Sequence, residues 1–200
     1  KNIGVSIGSM HDDNYATISY PLTADEYAAA MKQTATYGRY ASRLDGPLQK
    51  TVDAVVEAGP PHTEATLPGW MSNINAGVVA NRLNCRGPNF TVDTACSSGL
   101  ASLLPAMYQL MFTDLDAMVT GGLNRHTTNV FATAVDRLGA IAEHTPRPYD
   151  AEGAGFIAGE GGVMFLLKRL EDARKAGDTV HGIIRNVAGS SEYKSKSMVA

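Results

Sequence analysis

An α/β layered fold is what this sequence predicts, and three observations carry the prediction. Strand-like apolar runs alternate with segments at helical spacing. The run GGVMFLLKRL, Gly161 to Leu170, is continuously apolar for seven residues, as in a strand covered on both faces. At Thr91 to Leu104 a β-branched run passes abruptly into a helical pattern.

Each element follows from local chemistry. Ile3 to Ile7 alternates as a strand, with Gly8 behind it. TADEYAAAMKQT predicts a helix in which Thr23 is the N-cap and Glu26, three residues on, completes a capping box. Thr34 to Pro68 is polar and mixed; within it Val52 to Gly59 fits a short helix, and GPPHTEATLPG reads as loop. Asn73 to Leu83 predicts a helix with Ile74, Val78 and Val79 on one side, and RGPN turns the chain into a strand from Phe90 to Ala95. Beyond Cys96 a helix is expected to about Met111, with Met107, Leu110 and Met111 as its core stripe. Pro105 should kink or shorten it by removing one hydrogen bond. Ala117 to Thr120 reads as a buried strand ending at Gly121-Gly122, and Phe131 to Ala142 as a helix. After the long apolar strand, LEDARKAGD is a short helix closed by Gly177, and HGIIRNVAG a further strand. There is no internal repeat.

The bulk numbers set limits. Two hundred residues fit one ordinary domain or part of a larger one. With 44% apolar and 18% charged residues the chain can bury a sizeable core and is unlike a disordered segment. The net charge of −3 and the absence of long cationic clusters argue against a nucleic-acid partner. No apolar run reaches the length of a membrane span, and no basic-then-apolar leader precedes a cleavage site. Two cysteines make no disulfide framework, so a reducing, cytoplasmic setting is expected. The chain opens without methionine directly on a strand and closes on Met198-Val199-Ala200, which reads as a piece of something longer.

Cys96 lies in TVDTACSSGLASLL, where a strand gives way to a helix. A sharp bend there exposes the side chain and demands small neighbours, here Ala95, Ser97, Ser98 and Gly99. Backbone N–H groups at a helix start can hold an oxyanion, and the helix dipole favours a thiolate. Against this stands the commonest fate of a free thiol, burial as a small apolar residue. Cys85 has no such setting and is read as structural.

VDTACSSGLASL resembles the nucleophile motif of the β-ketoacyl synthases, the condensing domains of fatty-acid and polyketide synthases. ANRLNCRGPNFTVDTACSSGL extends the resemblance upstream, through an Asn-Arg helix end and an Arg-Gly-Pro turn. MVTGGLN resembles the strand and double glycine that follow the nucleophile helix, and RPYDAEGAGFIAGEGGVMFLLKRLEDARKAGDTVHGIIR the later Phe-Asp, Gly-Phe and Gly-Glu-Gly segment. The resemblance covers nearly the whole chain and is weakest from Asn14 to Thr66. The longer segment before Pro68-Gly69-Trp70-Met71 looks more like the iterative synthases of polyunsaturated fatty acids and enediynes. Departures are Tyr149-Asp150 for Phe-Asp, Ile141-Ala142 for a Leu-Ser pair, and Pro105 inside the helix.

The resemblance implies a thiolase-like fold of α-β-α-β-α layers, of which residues 1–200 would be a partial domain, mostly the N-terminal half. It implies that Cys96 is the acyl-accepting nucleophile and its backbone N–H an oxyanion donor. The chemistry implied is a decarboxylative Claisen condensation: an acyl group on Cys96 joins a malonyl thioester to give a β-ketoacyl thioester. Implied partners are an acyl carrier protein, whose phosphopantetheine brings the substrates, other synthase domains and a second copy in a homodimer. That dimer would form near Asn89 to Asp93. No cofactor and no metal is expected on the chain itself.

The two histidines of the family's Cys-His-His machinery belong to His-Gly-Thr-Gly-Thr and Gly-His motifs, and neither occurs here. His11, His62, His126, His144 and His181 are read as surface or satisfied polar residues. Glu160 in GEGG is read as a buried, paired structural carboxylate, and Asp93 and Asp150 as residues that orient nearby backbone. Two other readings stay open: a condensing-type domain that transfers or decarboxylates without elongation, and a thiol hydrolase with a similar elbow. A degenerate scaffold domain is the non-enzymatic alternative.

Overall fold

The computed structural model describes residues 2–10, 14–61, 63–124, 129–142 and 144–191. The chain divides into two compact units, residues 13–70 and the remainder.

The smaller unit is helical. Helix α1 spans Asn14–Lys32, α2 spans Ala35–Ala58 and α3 spans Thr66–Trp70. α1 and α2 form a hairpin closed by Ala24, Ala28 and Val52, with Leu48 and Val55 against them. Here the sequence expectation is corrected. Thr23 does not cap a helix; it lies inside α1, and its hydroxyl donates back to the Ser19 carbonyl at 2.8 Å. The residue that caps is Thr34, whose hydroxyl accepts the Tyr37 N–H at 3.2 Å at the start of α2. The predicted short helix at Val52 is the end of a 24-residue one, and α3 takes up part of the expected loop. Pro21 and Pro47 sit inside these helices, each removing one backbone donor, and the apolar seam offsets that loss.

The larger unit is a mixed sheet between helices. Strand β1 is Ile3–Gly8, β2 Asn89–Val92, β3 Ala117–Asn124 and β4 Gly161–Leu167, in the spatial order β2-β1-β3-β4. β1 runs parallel to both β2 and β3, and β4 runs antiparallel to β3. Gly8 pairs with Val92 on one side and Gly122 on the other, so the carboxyl ends of the three parallel strands meet at one edge.

The strand period of two sorts β1 between the layers. Val5 and Ile7 are fully buried against Ala76 and Ala80 of helix α4, Ser72–Arg82. Gly4, Ser6 and Gly8 face the other way, with Met118, Thr120 and Gly122 of β3 beside them in register. That second face carries helices α5, Ser98–Ala101, and α6, Leu103–Phe112. Pro105 does divide the predicted long helix, and the break falls at Ser102. The buried stripe is Ser102, Ala106 and Leu110, whereas Met111 of the expected stripe is exposed. Helix α7, Asn129–Arg137, is shorter than expected, and α8, Leu170–Ala176, ends on left-handed Gly177 as predicted.

Two strand expectations fail. The sequence predicts β4 covered on both faces, yet Val163, Met164, Phe165 and Leu166 are all exposed, because no described helix lies over this strand as a layer. HGIIRNVAG forms no strand; residues 178–191 pair with no ladder. Arg169, just beyond β4, ties this region to α6. Its guanidinium donates to the carbonyls of Leu110 and Leu115, both at 2.8 Å, and to Asp172 at 2.6 Å. A cation on the last carbonyls of a helix satisfies acceptors that the helix cannot.

Candidate functional site

Cys96 is exposed and sits between the end of β2 and the first turn of α5. The bend is built by its neighbours. Ala95 adopts a left-handed backbone, φ 51°, which turns the chain sharply and is costly for a residue with a Cβ. Asp93 steadies it by accepting the Ala95 N–H at 3.0 Å, the backbone-orienting role expected of that carboxylate. Ser98, almost fully buried, accepts the Thr94 N–H at 2.9 Å and donates to the Ala95 carbonyl at 2.6 Å. Ser97 donates to the Thr94 carbonyl at 2.8 Å, and the N–H groups of Ser97 and Ser98 close turns onto Thr94 and Ala95.

The bend is seated directly on the sheet. A Cβ on Gly8 would lie 2.1 Å from the Ser98 carbonyl oxygen, and one on Gly122 would lie 2.8 Å from the Gly99 Cα. Three glycines remote in sequence thus let the start of α5 rest on the carboxyl ends of β1 and β3. In parallel sheets that edge is where ligands are received. Below the glycines, Ser102 is wholly buried, and its hydroxyl lies 2.8 Å from the Gly99 carbonyl, 3.0 Å from that of Gly121 and 3.1 Å from the Thr120 hydroxyl.

The expectation of a long helix behind Cys96 changes with α5. Four residues supply one turn of aligned peptides, so the dipole argument for a thiolate loses most of its weight and the local N–H groups carry what remains. Sequence reasoning missed the contact of Gly8, Gly99 and Gly122 and the buried hydroxyls. The signal available was an unexplained Ser or Thr at apolar-looking positions of a strand.

The other expected residues are not gathered here. His144 and His181 are exposed, as expected, although His181 lies outside any strand; His11, His62 and His126 lie outside the described residues. Glu160 is exposed rather than buried. Asp150 accepts the Glu152 N–H at 2.8 Å, ordering its own loop. Cys85 packs against the Val5 and Ile7 cluster. Among the described residues no cluster of three or more His, Cys, Asp or Glu could hold a metal, and no helix is long and apolar enough to cross a membrane.

Comparison with known proteins gives the geometry a context. Residues 1–173 match the family described as beta-ketoacyl synthase, N-terminal domain. One polyunsaturated fatty acid synthase polypeptide of Thraustochytrium is 35% identical over 130 residues, 64% of this chain and 5% of that protein. The 3-oxoacyl-[acyl-carrier-protein] synthase 2 of Coxiella burnetii is 29% identical over 144 residues, 68% of this chain and 35% of that protein. The chain thus spans well under two thirds of the length of these relatives. Among solved structures, the module 6 ketosynthase of the Bacillus subtilis bacillaene synthase superposes with a TM-score of 0.59 at 22% identity, over 90% of this chain and 24% of that one. The ishigamide ketosynthase/chain length factor gives 0.62 at 20% identity, over 90% and 38%. The fold is that of these thiolase-like proteins, in agreement with the sequence expectation.

Proposed function

The chain belongs to the β-ketoacyl synthase family, and from that premise we propose that Cys96 accepts an acyl group from a carrier-protein thioester and presents it for condensation. The observation that carries the reading is an exposed thiol on a tight bend at the carboxyl edge of the parallel strands.

In the first stage the Cys96 thiolate adds to the thioester carbonyl, the oxyanion collapses, and the phosphopantetheine thiol leaves, taking a proton. The N–H of Cys96 is the proposed donor to that oxyanion. In support, the N–H groups of Thr94, Ala95, Ser97 and Ser98 are all engaged within the bend. In the second stage a malonyl thioester loses carbon dioxide, and the resulting carbanion attacks the acyl-enzyme. The new carbon–carbon bond yields a β-ketoacyl thioester two carbons longer and returns the Cys96 thiolate. The histidines that the resemblance assigns to this stage have no counterpart in the chain, so they would come from elsewhere in the protein. The carrier protein supplies the pantetheine arm, and no cofactor is assigned to the synthase itself.

The test is product analysis. Full-length protein given acyl and malonyl carrier thioesters should release carbon dioxide and form the β-ketoacyl thioester, and the Cys96→Ala variant should lose that product. Release of free acyl acid would indicate a hydrolase instead. Acyl transfer without extension would indicate a domain that passes chains on.

A further inference from the structure

Thr120, Ser6 and Ser102 form a buried hydroxyl cluster beneath the bend that nothing in the proposed chemistry uses. All three are wholly inaccessible to solvent. Ser6 and Thr120 lie opposite one another in the β1–β3 register, on the face that carries α5 and α6. The Ser6 hydroxyl donates to the Ser102 carbonyl at 3.0 Å, and the Thr120 hydroxyl reaches the same carbonyl at 3.2 Å. The Ser102 hydroxyl reaches back to Gly99 in α5 and across to Gly121 in β3.

This is an unusual place to bury hydroxyls. An apolar trio would pack at least as well at a sheet–helix contact, where burial is favourable and non-directional. Hydroxyls add direction: each bond holds over a narrow range of distance and angle. Ser102 is also the joint at which the helix breaks, since Pro105 has no N–H to give the Ala101 carbonyl. A broken helix no longer fixes the direction of its first turn. At this joint the cluster ties the chain to β1 and β3 together, six residues beyond Cys96.

We propose that the Ser6–Ser102–Thr120 cluster is a positioning device that fixes the direction of the α5 turn, and with it the Cys96 thiol and the Cys96 N–H, relative to the carboxyl ends of β1 and β3. The inference rests on the proposed role of Cys96. It requires that loss of a cluster hydroxyl impair attack on a thioester, which needs thiol and oxyanion donor aligned, far more than alkylation by a small reagent, which needs the thiol alone.

The experiment uses full-length protein with three variants: Thr120→Val, which keeps the shape and removes the hydroxyl; Thr120→Ser, which keeps the hydroxyl and loses the methyl; and Ser6→Ala. Two rates are read for each, acylation of Cys96 by an acyl-carrier thioester and alkylation of Cys96 by iodoacetamide. Thr120→Val is expected to slow acylation by about ten- to a hundredfold, with alkylation little changed. Thr120→Ser should retain wild-type acylation, and Ser6→Ala should show a smaller loss of the same kind. Equal slowing of both rates in Thr120→Val would overturn the inference, as would equal acylation by Thr120→Val and Thr120→Ser. If Thr120→Val does not fold, Ser6→Ala decides by the same ratio. Failure of wild-type Cys96 to take any acyl group would instead sink the underlying assignment, so the two failures are told apart.

Discussion

The two faces of strand β1 are built on opposite principles. On one, Val5 and Ile7 bury entirely against Ala76 and Ala80, an apolar contact with no directional demand. On the other, Gly4, Ser6 and Gly8 meet β3 and the helices behind Cys96 through missing side chains and hydroxyl bonds. The first face stabilises in proportion to the area it hides. The second contributes less buried area, and what it provides is position. A six-residue strand thus separates holding the sheet together from aiming the bend.

Substitutions on the two faces should therefore do different damage. The largest loss of stability belongs to Ile7→Ala, which empties a fully buried site and should cost about 2–5 kcal/mol, read as a lowered urea midpoint. Protein that remains folded should load Cys96 at the wild-type rate; a parallel loss of loading would blur the division. Gly8→Ala should cost about 1–3 kcal/mol, because the new methyl group meets backbone atoms of Ser98 and Gly99 and the bend as a whole must retreat from it. That retreat should cut thioester loading by about a hundredfold. Unimpaired loading in Gly8→Ala would show that the close seat on the sheet is dispensable.

Away from β1 the effects shrink. Arg169→Ala should cost about 1 kcal/mol, since the Leu110 carbonyl in the last turn of α6 and the Leu115 carbonyl beyond it lose a charged donor on a partly exposed side chain. Loading should be untouched. The smallest effect lies in the helical unit. Burial pushes the Tyr37 phenol up, helped by its hydrogen bond to Asp45 at 2.8 Å and by that carboxylate's charge. A value raised in the folded state means stabilisation that is complete below about pH 10 and fades as pH climbs through the folded value. Denaturation at successive alkaline pH values should show this slope in the wild type and less of it in Tyr37→Phe.

The division between the faces also explains what local pattern can and cannot reveal. β1, the extent of α4, the α8 stop at Gly177 and the bend at Cys96 each follow from a few adjacent residues, although α4 buries Ala76 and Ala80 with Val79 beside them and leaves the expected Val78 exposed. The helical unit defies such a reading because Pro21, Pro47, Gly38 and Gly46 are helix breakers whose cost is offset only by packing between α1 and α2. HGIIRNVAG has the composition of a strand, but a strand needs a partner, and none of the described residues supplies one. Gly8, Gly99 and Gly122 each look like ordinary turn glycines; their common purpose exists only once the parallel register has brought them together.

The most direct measurement is the mass of the Cys96 peptide after full-length protein has been incubated with an acyl-carrier thioester. That peptide should gain the mass of the acyl group, lose it again in hydroxylamine, and show no gain in Cys96→Ala. An unmodified Cys96 peptide, or an acyl group found on Cys85 instead, would contradict the assignment of Cys96 as the acyl acceptor.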